Sequence, residues 1–156
     1  MSAVQTSVSL KPDAGVPGLP ADSNVVQEFV SRVATVDIPF GAFVSLVDEN
    51  ECKLPTTSAE VTTNGGGVAV FDQTKASQAG YKAGDVVTIM RKGNVYVSTE
   101  QTCAASGAAF VRFTDGTLGA FRADADTSDA VAASIARFAY GRTGAGLVVV
   151  TLNIPA

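Results

Sequence analysis

The sequence predicts a mainly β fold, namely one compact antiparallel β-sandwich or small barrel, jelly-roll-like or β-tulip-like, with an extended N-terminal arm. Val and Gly are abundant, Leu is scarce and Trp is absent, a composition that favours strands and turns over long helices. From Val25 onward, short apolar runs alternate with turn signals. The 156 residues suffice for one domain that buries a core without disulfides. We therefore assign residues 1–24 to the arm and residues 25–156 to the β domain.

The arm differs in composition from the rest of the chain. It holds Pro12, Pro17 and Pro20, and proline excludes both a helix interior and a central strand. Its apolar residues argue against a purely solvated tail, so we predict that they are contact residues for a partner surface. These residues are Val4, Val8, Leu10, Val16 and Leu19. The alternative is a frayed terminus.

The first strands are expected at 29–38, closed by Pro39, and at 40–47, closed by the polar residues 48–50. The Asn-Gly-Gly-Gly run at 64–67 is typical of a turn, and 68–71 leaves it as a strand.

Three hairpins follow, because strand-like runs flank turn residues at short range. They pair residues 86–90 with 95–98, 110–113 with 118–122, and 135–140 with 147–154. Their tips are Gly93-Asn94, Asp115-Gly116 and the Gly-rich segment 141–146. The segment 125–136 is the one expected short helix or loop, capped by Asp126, Thr127 or Ser128.

Charge and composition exclude several classes of function. The net charge is −4, so no basic excess is available to neutralise nucleic-acid phosphates or an acidic membrane surface. No run of 18 apolar residues predicts a transmembrane helix, and the first residues do not resemble a signal peptide, so synthesis in a cytoplasm is expected. Histidine is absent, which removes the Ser-His-Asp triad, the Cys-His pair and every His-containing zinc site. We predict no enzyme and no cofactor.

Two acidic groups are candidate sites of weak signal. Asp124, Asp126 and Asp129 suit Ca²⁺ by ligand type, but the segment lacks the central Gly and terminal Glu of an EF-hand loop, and a solvated acidic loop is the favoured interpretation. A carboxylate pair for glycoside hydrolysis is conceivable among Asp48, Glu49 and Glu51, although one short turn leaves them solvated. No metal or catalytic site is therefore assigned.

The remaining reactive or charged residues have equally plain interpretations. Cys52 and Cys103 have no metal-ligand spacing and are expected to be reduced and half-buried, with a disulfide as the alternative. Four arginines near strand ends suit either salt bridges to an acidic partner or ordinary surface charge. They are Arg112, Arg122, Arg137 and Arg142.

Three stretches of the sequence together resemble the head cement, or decoration, proteins of tailed bacteriophages. The first is the Gly-x-x-Gly-x-x-Ala-Asp arm at 15–22 followed by the run IPFGAFV at 38–44. The second is YKAGDVV at 81–87 leading to RKGNVYV at 91–97. The third is Ala-Arg-Phe at 136–138, a Gly-containing turn, and GLVVVTL at 146–152.

The resemblance implies a non-catalytic β domain on the outer surface of the virion head, made in the host cytoplasm. Its partners would be the major capsid protein and itself, with a trimer preferred over a dimer, and neither nucleic acid nor membrane. It would bridge neighbouring capsomers and stabilise the expanded shell, with the arm docked on the capsid or a sister subunit. The alternative function is a β-sandwich that recognises carbohydrate or a cell surface. Such modules present aromatic platforms, and this chain offers only Tyr81, Tyr96 and Tyr140.

Overall fold

The computed structural model describes residues 15–21 and 26–153 and is mainly β, which confirms the predicted fold class. The strands are β1 Glu28–Ala34, β2 Ile38–Pro39, β3 Phe43–Leu46, β4 Glu51–Lys53, β5 Gly65–Ala69, β6 Gly80–Tyr81, β7 Val86–Thr99, β8 Ala108–Arg112, β9 Phe121–Arg122, β10 Ala130–Phe138 and β11 Gly146–Asn153. One α-helix, α1, covers Ser58–Thr62, and two 3₁₀ helices cover Gln73–Gln78 and Asp126–Ser128.

Strand pairing closes two five-stranded barrels that share β7. The first barrel runs β1-β4-β3-β5-β7 and returns from β7 to β1. The second runs β7-β11-β10-β8-β9 and returns from β9 to β7. The β1–β4 and β7–β9 pairings are parallel and the other pairings in these rings are antiparallel. Strands β2 and β6 form a separate two-stranded sheet. The small-barrel form of the prediction is thus the correct one, and it occurs twice.

Each barrel has its own apolar core, and the shared strand feeds both. Successive side chains of a strand point to opposite faces. In β7, Ile89 is buried in the first core, whereas the next residue, Met90, is buried in the second. In β3, Val44 is buried in the first core and Phe43 is buried in the second. The wall between the barrels therefore presents apolar residues on both of its faces.

The first predicted hairpin is wrong, because β7 is one strand of 14 residues that continues through Gly93 and Asn94. Up to Lys92, β7 pairs with β1, and from Lys92 onward it pairs with β11. Gly93 has φ of +122°, which permits a change of direction where the partner changes. A Gly-Asn pair suits a bend in a long strand as well as a hairpin tip, and long-range pairing selects the bend.

The predicted turn at 64–67 is also wrong, because its three glycines lie in strand β5, Gly65–Ala69. Gly67 has φ of +128°, and a Cβ there would lie 2.0 Å from the carbonyl oxygen of Met90. The absence of a side chain at Gly67 therefore lets β5 approach β7 closely, and a larger residue at this position would not fit.

The other elements divide between confirmed and corrected predictions. The second and third hairpins are confirmed by the pairs Phe110–Arg122 and Ala136–Leu152. The segment 125–136 is not a helix beyond one 3₁₀ turn, because β10 begins at Ala130. The expected strand 29–38 ends at Ala34, and its closing proline is instead paired in β2. Helix α1 was missed, although Thr57 and Glu60 form a capping box that the sequence displays.

Candidate interaction surfaces

The root of the N-terminal arm is built into the β domain. The N–H of Gly18 donates to the Tyr96 carbonyl (2.7 Å), the N–H of Tyr96 to the Leu19 carbonyl (2.9 Å), and the N–H of Ala21 to the Asn94 carbonyl (2.8 Å). Between them, Pro20 bridges Val95 in antiparallel register. This segment pairs with the part of β7 that lies between the residues paired with β1 and the residue paired with β9. It therefore closes a gap in the strand pairing of the second barrel.

Close packing fixes the arm root at Gly18. This residue is buried with φ of +85°, and a Cβ there would lie 2.7 Å from the Ala69 carbonyl oxygen and the Phe71 nitrogen. Its carbonyl accepts from the N–H of Phe71 at 2.9 Å. The segment 15–21 is therefore an integral part of the folded domain, held to β7 by one isolated bridge and by backbone hydrogen bonds.

The predicted contact residues divide into two sets. Val16 and Leu19 lie on the docked root and remain 43% and 38% exposed, so each still presents apolar surface outward. Val4, Val8 and Leu10 lie outside the described residues.

Two of the four candidate arginines are held inside the chain by a network of carboxylates. Arg112, only 7% exposed, donates to both carboxylate oxygens of Glu100 and to Asp126. Arg122 donates to Glu100 (2.6 Å) and to Asp124 (2.9 Å). Burial favours the neutral form of Glu100, but the hydrogen bonds from both arginines outweigh it and lower the pKa of this carboxyl group. These two side chains consequently serve the fold.

Several residues of the two predicted acidic groups make structural contacts. Asp124 and Asp126 are engaged by the arginine network, and Asp129 accepts through its backbone carbonyl from Phe113 and Thr114. Asp48 closes its own turn, because its Oδ1 accepts from the backbone N–H groups two and three residues on. Within residues 15–21 and 26–153 no group of three or more Cys, Asp or Glu residues is arranged to hold a metal ion.

Both cysteines are free thiols in separate places. Cys52 is fully buried in the core of the first barrel, and Cys103 is buried in the core of the second. Burial raises the pKa of the Cys52 thiol to about 11 and also raises that of Cys103. The two thiols are unpaired in the structure and more deeply buried than the predicted half-buried state.

Exposed large apolar side chains concentrate around β1, on the outer face of the first barrel. Phe29 and Val33 of β1 are 43% and 38% exposed, Val86 at the start of β7 is 59% exposed, and Val47 after β3 is 48% exposed. On the second barrel, apart from Val16 and Leu19 of the arm root, Tyr140 is the one exposed large apolar residue among those described. Sequence reasoning missed this surface, because its members come from β1, from the start of β7 and from the residue after β3.

Arg137 and Tyr140 lie on the rim of a polar depression on the second barrel. Its volume is about 480 Å³, and Thr151 and Asn153 of β11 also line it. Tyr81 is buried and Tyr96 packs against Gly15, so Tyr140 is the only tyrosine that presents its ring fully to the outside. Phe29, another exposed aromatic ring, lies on the first barrel, so Tyr140 by itself does not form the aromatic platform that the carbohydrate alternative requires.

Comparison with known proteins finds one matching family and solved structures that resemble this chain. Residues 4–153 match the family described as structural cement protein (E217 gp24/Pam3 gp6). A chain from the capsid of Myoviridae phage XM1 shares the fold, with a TM-score of 0.72 at 18% identity over 97% of this chain and 98% of that chain. The N base of the head fibre gp8.5 of bacteriophage phi29 has a TM-score of 0.49 at 11% identity, over 82% of this chain and 95% of that one. No curated protein matches the sequence. No helix in the described ranges is long and apolar enough to cross a membrane.

Proposed function

This chain belongs to the family of phage structural cement proteins, and from that premise we propose that it binds the outer surface of the head, bridges neighbouring capsomers and stabilises the expanded shell. It is made in the host cytoplasm and acts without catalysis. The observation that carries the proposal is the double barrel, because a bridge must pass force between two contact points without bending.

The shared strand β7 supports that mechanical role. Its 14 residues extend for up to roughly 46 Å and belong to both barrel walls, so no hinge loop separates the barrels. The core of the second barrel also includes Phe43 and Val68, which come from strands of the first barrel, so the two barrels pack directly against each other. A rigid body of this kind adds stability to a shell when its two ends touch different capsomers, and many weak contacts on a symmetric lattice act together.

The arm adds a second means of reaching a neighbour. Because its root is clamped to β7, the segment 1–14 starts from a fixed point on the domain, and fourteen extended residues reach at most roughly 50 Å. Prolines in such a segment reduce the entropy lost on ordering. We propose that Val4, Val8 and Leu10 dock on the capsid or a sister subunit, and that Val16 and Leu19 extend that contact from the root.

The test uses purified expanded heads that lack this protein. Full-length protein should co-sediment with these heads and raise their temperature of disruption, because binding only the expanded state stabilises it by mass action. Deletion of residues 2–14 should leave the barrels folded, since every described contact of the root remains, and should weaken binding. Full-length protein that fails to bind heads would refute the proposed function. A truncated protein with undiminished affinity would refute the arm alone.

We also propose a homo-oligomer, with a trimer preferred over a dimer, since local three-fold and two-fold points of a shell each accept a symmetric plug. Native mass spectrometry of the purified protein measures this directly. A strictly monomeric protein, both free and on heads, would refute it.

A further inference from the structure

We propose that the outer face of the first barrel is the surface that meets the major capsid protein, and that the capsid protein places a Lys or Arg against Glu51. The face, named here the valine face, consists of Phe29, Val33, Val47 and Val86 around Glu51. This inference rests on the proposed function, and it assigns the contact to particular residues.

Strand register brings the valine face together. Val33 of β1 is the partner of Glu51 in β4 on one side and of Val86 in β7 on the other. The N–H of Val47 donates to the Glu51 carbonyl at 3.0 Å, which continues the β3–β4 pairing by one residue. Paired residues point to the same face of a sheet. The result is a row in the order Val47, Glu51, Val33, Val86, with Phe29 four residues before Val33 on the same face of β1.

The inward neighbours confirm which way the row points. Ala34 and Cys52, next to Val33 and Glu51 in sequence, are fully buried in the first core, as is Val87. Alternation therefore directs the row outward, where its three valines stay 38–59% exposed. Three exposed β-branched side chains in one row form an apolar surface, and clustered exposed apolar surface marks protein contacts.

Charge decides between the possible occupants. Glu51 stands in the middle of the row, is exposed and has no ion pair among the described residues. A partner that covers the valines also desolvates this carboxylate, which is unfavourable unless an opposite charge faces it. A two-fold contact centred on this face would oppose Glu51 to the Glu51 of a second copy, because a two-fold contact presents the same patch twice. The row contains no basic residue to relieve that repulsion. A different protein with an apolar surface and one basic side chain fits.

The experiment measures the affinity of variants for expanded heads that lack this protein. Val86→Asp places a charge on the valine face, and Tyr140→Asp is its matched control on the second barrel. Both side chains are mostly exposed, so both variants should fold, which circular dichroism and thermal unfolding verify. We expect Val86→Asp to weaken head binding by about tenfold or more and Tyr140→Asp to leave it unchanged.

Substitution of Glu51 tests the charge separately. Glu51→Lys should weaken binding more than Glu51→Gln, and binding of Glu51→Gln should depend less on salt concentration than that of the wild type. Wild-type affinity in both Val86→Asp and Glu51→Lys would overturn the inference while leaving the proposed function intact. A loss of self-association in Val86→Asp, seen as a lower mass by light scattering, would make a second copy the occupant and overturn it as well. Failure of the wild type to bind heads would instead reject the proposed function.

Discussion

Replacement of Arg112 by Met should destabilise the second barrel by about 2–3 kcal/mol. Arg112 is 7% exposed and donates to Glu100 at 3.1 and 2.9 Å and to the Asp115 carbonyl at 2.9 Å. Removal of one member of a buried ion pair costs about 3–5 kcal/mol, because the other charge stays desolvated. Here the cost is smaller, since the Glu100 side chain is 26% exposed and keeps its bond from Arg122. Methionine preserves much of the apolar volume of the stem.

Urea unfolding measures this difference as a change in the free energy of unfolding, and thermal unfolding should show a fall of about 4–12 °C for a domain of this size. Arg137→Met is the control, because Arg137 is exposed and makes one hydrogen bond, to the Ser106 carbonyl at 3.3 Å. That substitution should change stability by less than about 0.5 kcal/mol. An Arg112→Met variant within about 1 kcal/mol of the wild type would show that the network contributes little to the fold.

The same network predicts how stability depends on pH. The pKa of Glu100 in the folded protein lies below its unfolded value, so its contribution is present above an unfolded pKa of about 4.3 and is lost as the pH falls through the folded value. Arg112→Met removes one of the hydrogen bonds that lower this pKa. The variant should therefore lose less stability than the wild type between neutral and acid pH. Urea unfolding at several pH values compares them, and equal losses would contradict the assignment to Glu100.

Three further outcomes follow from packing. Gly67→Ala should prevent folding or cost more than about 4 kcal/mol, because its Cβ would meet the Met90 carbonyl, and circular dichroism with urea unfolding checks this. Gly18→Ala should release the arm root while the barrels stay folded. Proteolysis and hydrogen exchange near residues 15–21 should become faster, and unchanged protection would contradict the role of Gly18 in holding this segment on the domain. Cys52 and Cys103 should not react with a thiol reagent at pH 8 in the folded protein and should react fully in urea, and a fast native reaction would refute their burial.

Local sequence was sufficient where an element is decided by near neighbours. The two hairpins at 110–122 and 135–153 follow from alternating apolar residues on either side of a Gly-containing turn, and their pairing needs no other strand. The absence of a basic excess is also readable from composition, whereas the full burial of both cysteines is not. The capping box at Thr57 and Glu60 was equally local, and a search for that motif finds helix α1.

Tertiary structure decided every feature that depends on a distant partner. Gly93-Asn94 is a bend because β7 changes from β1 to β11 there, and Gly67 sits in a strand because Met90 passes beside it. Arg112 is buried because carboxylates that lie 12 and 14 residues away in sequence converge on it. The valine face exists only through register, since a shift of one residue in β1 would turn Val33 inward. Sequence periodicity fixes which residues alternate, whereas barrel closure fixes which face of the alternation meets the core and which remains for a partner.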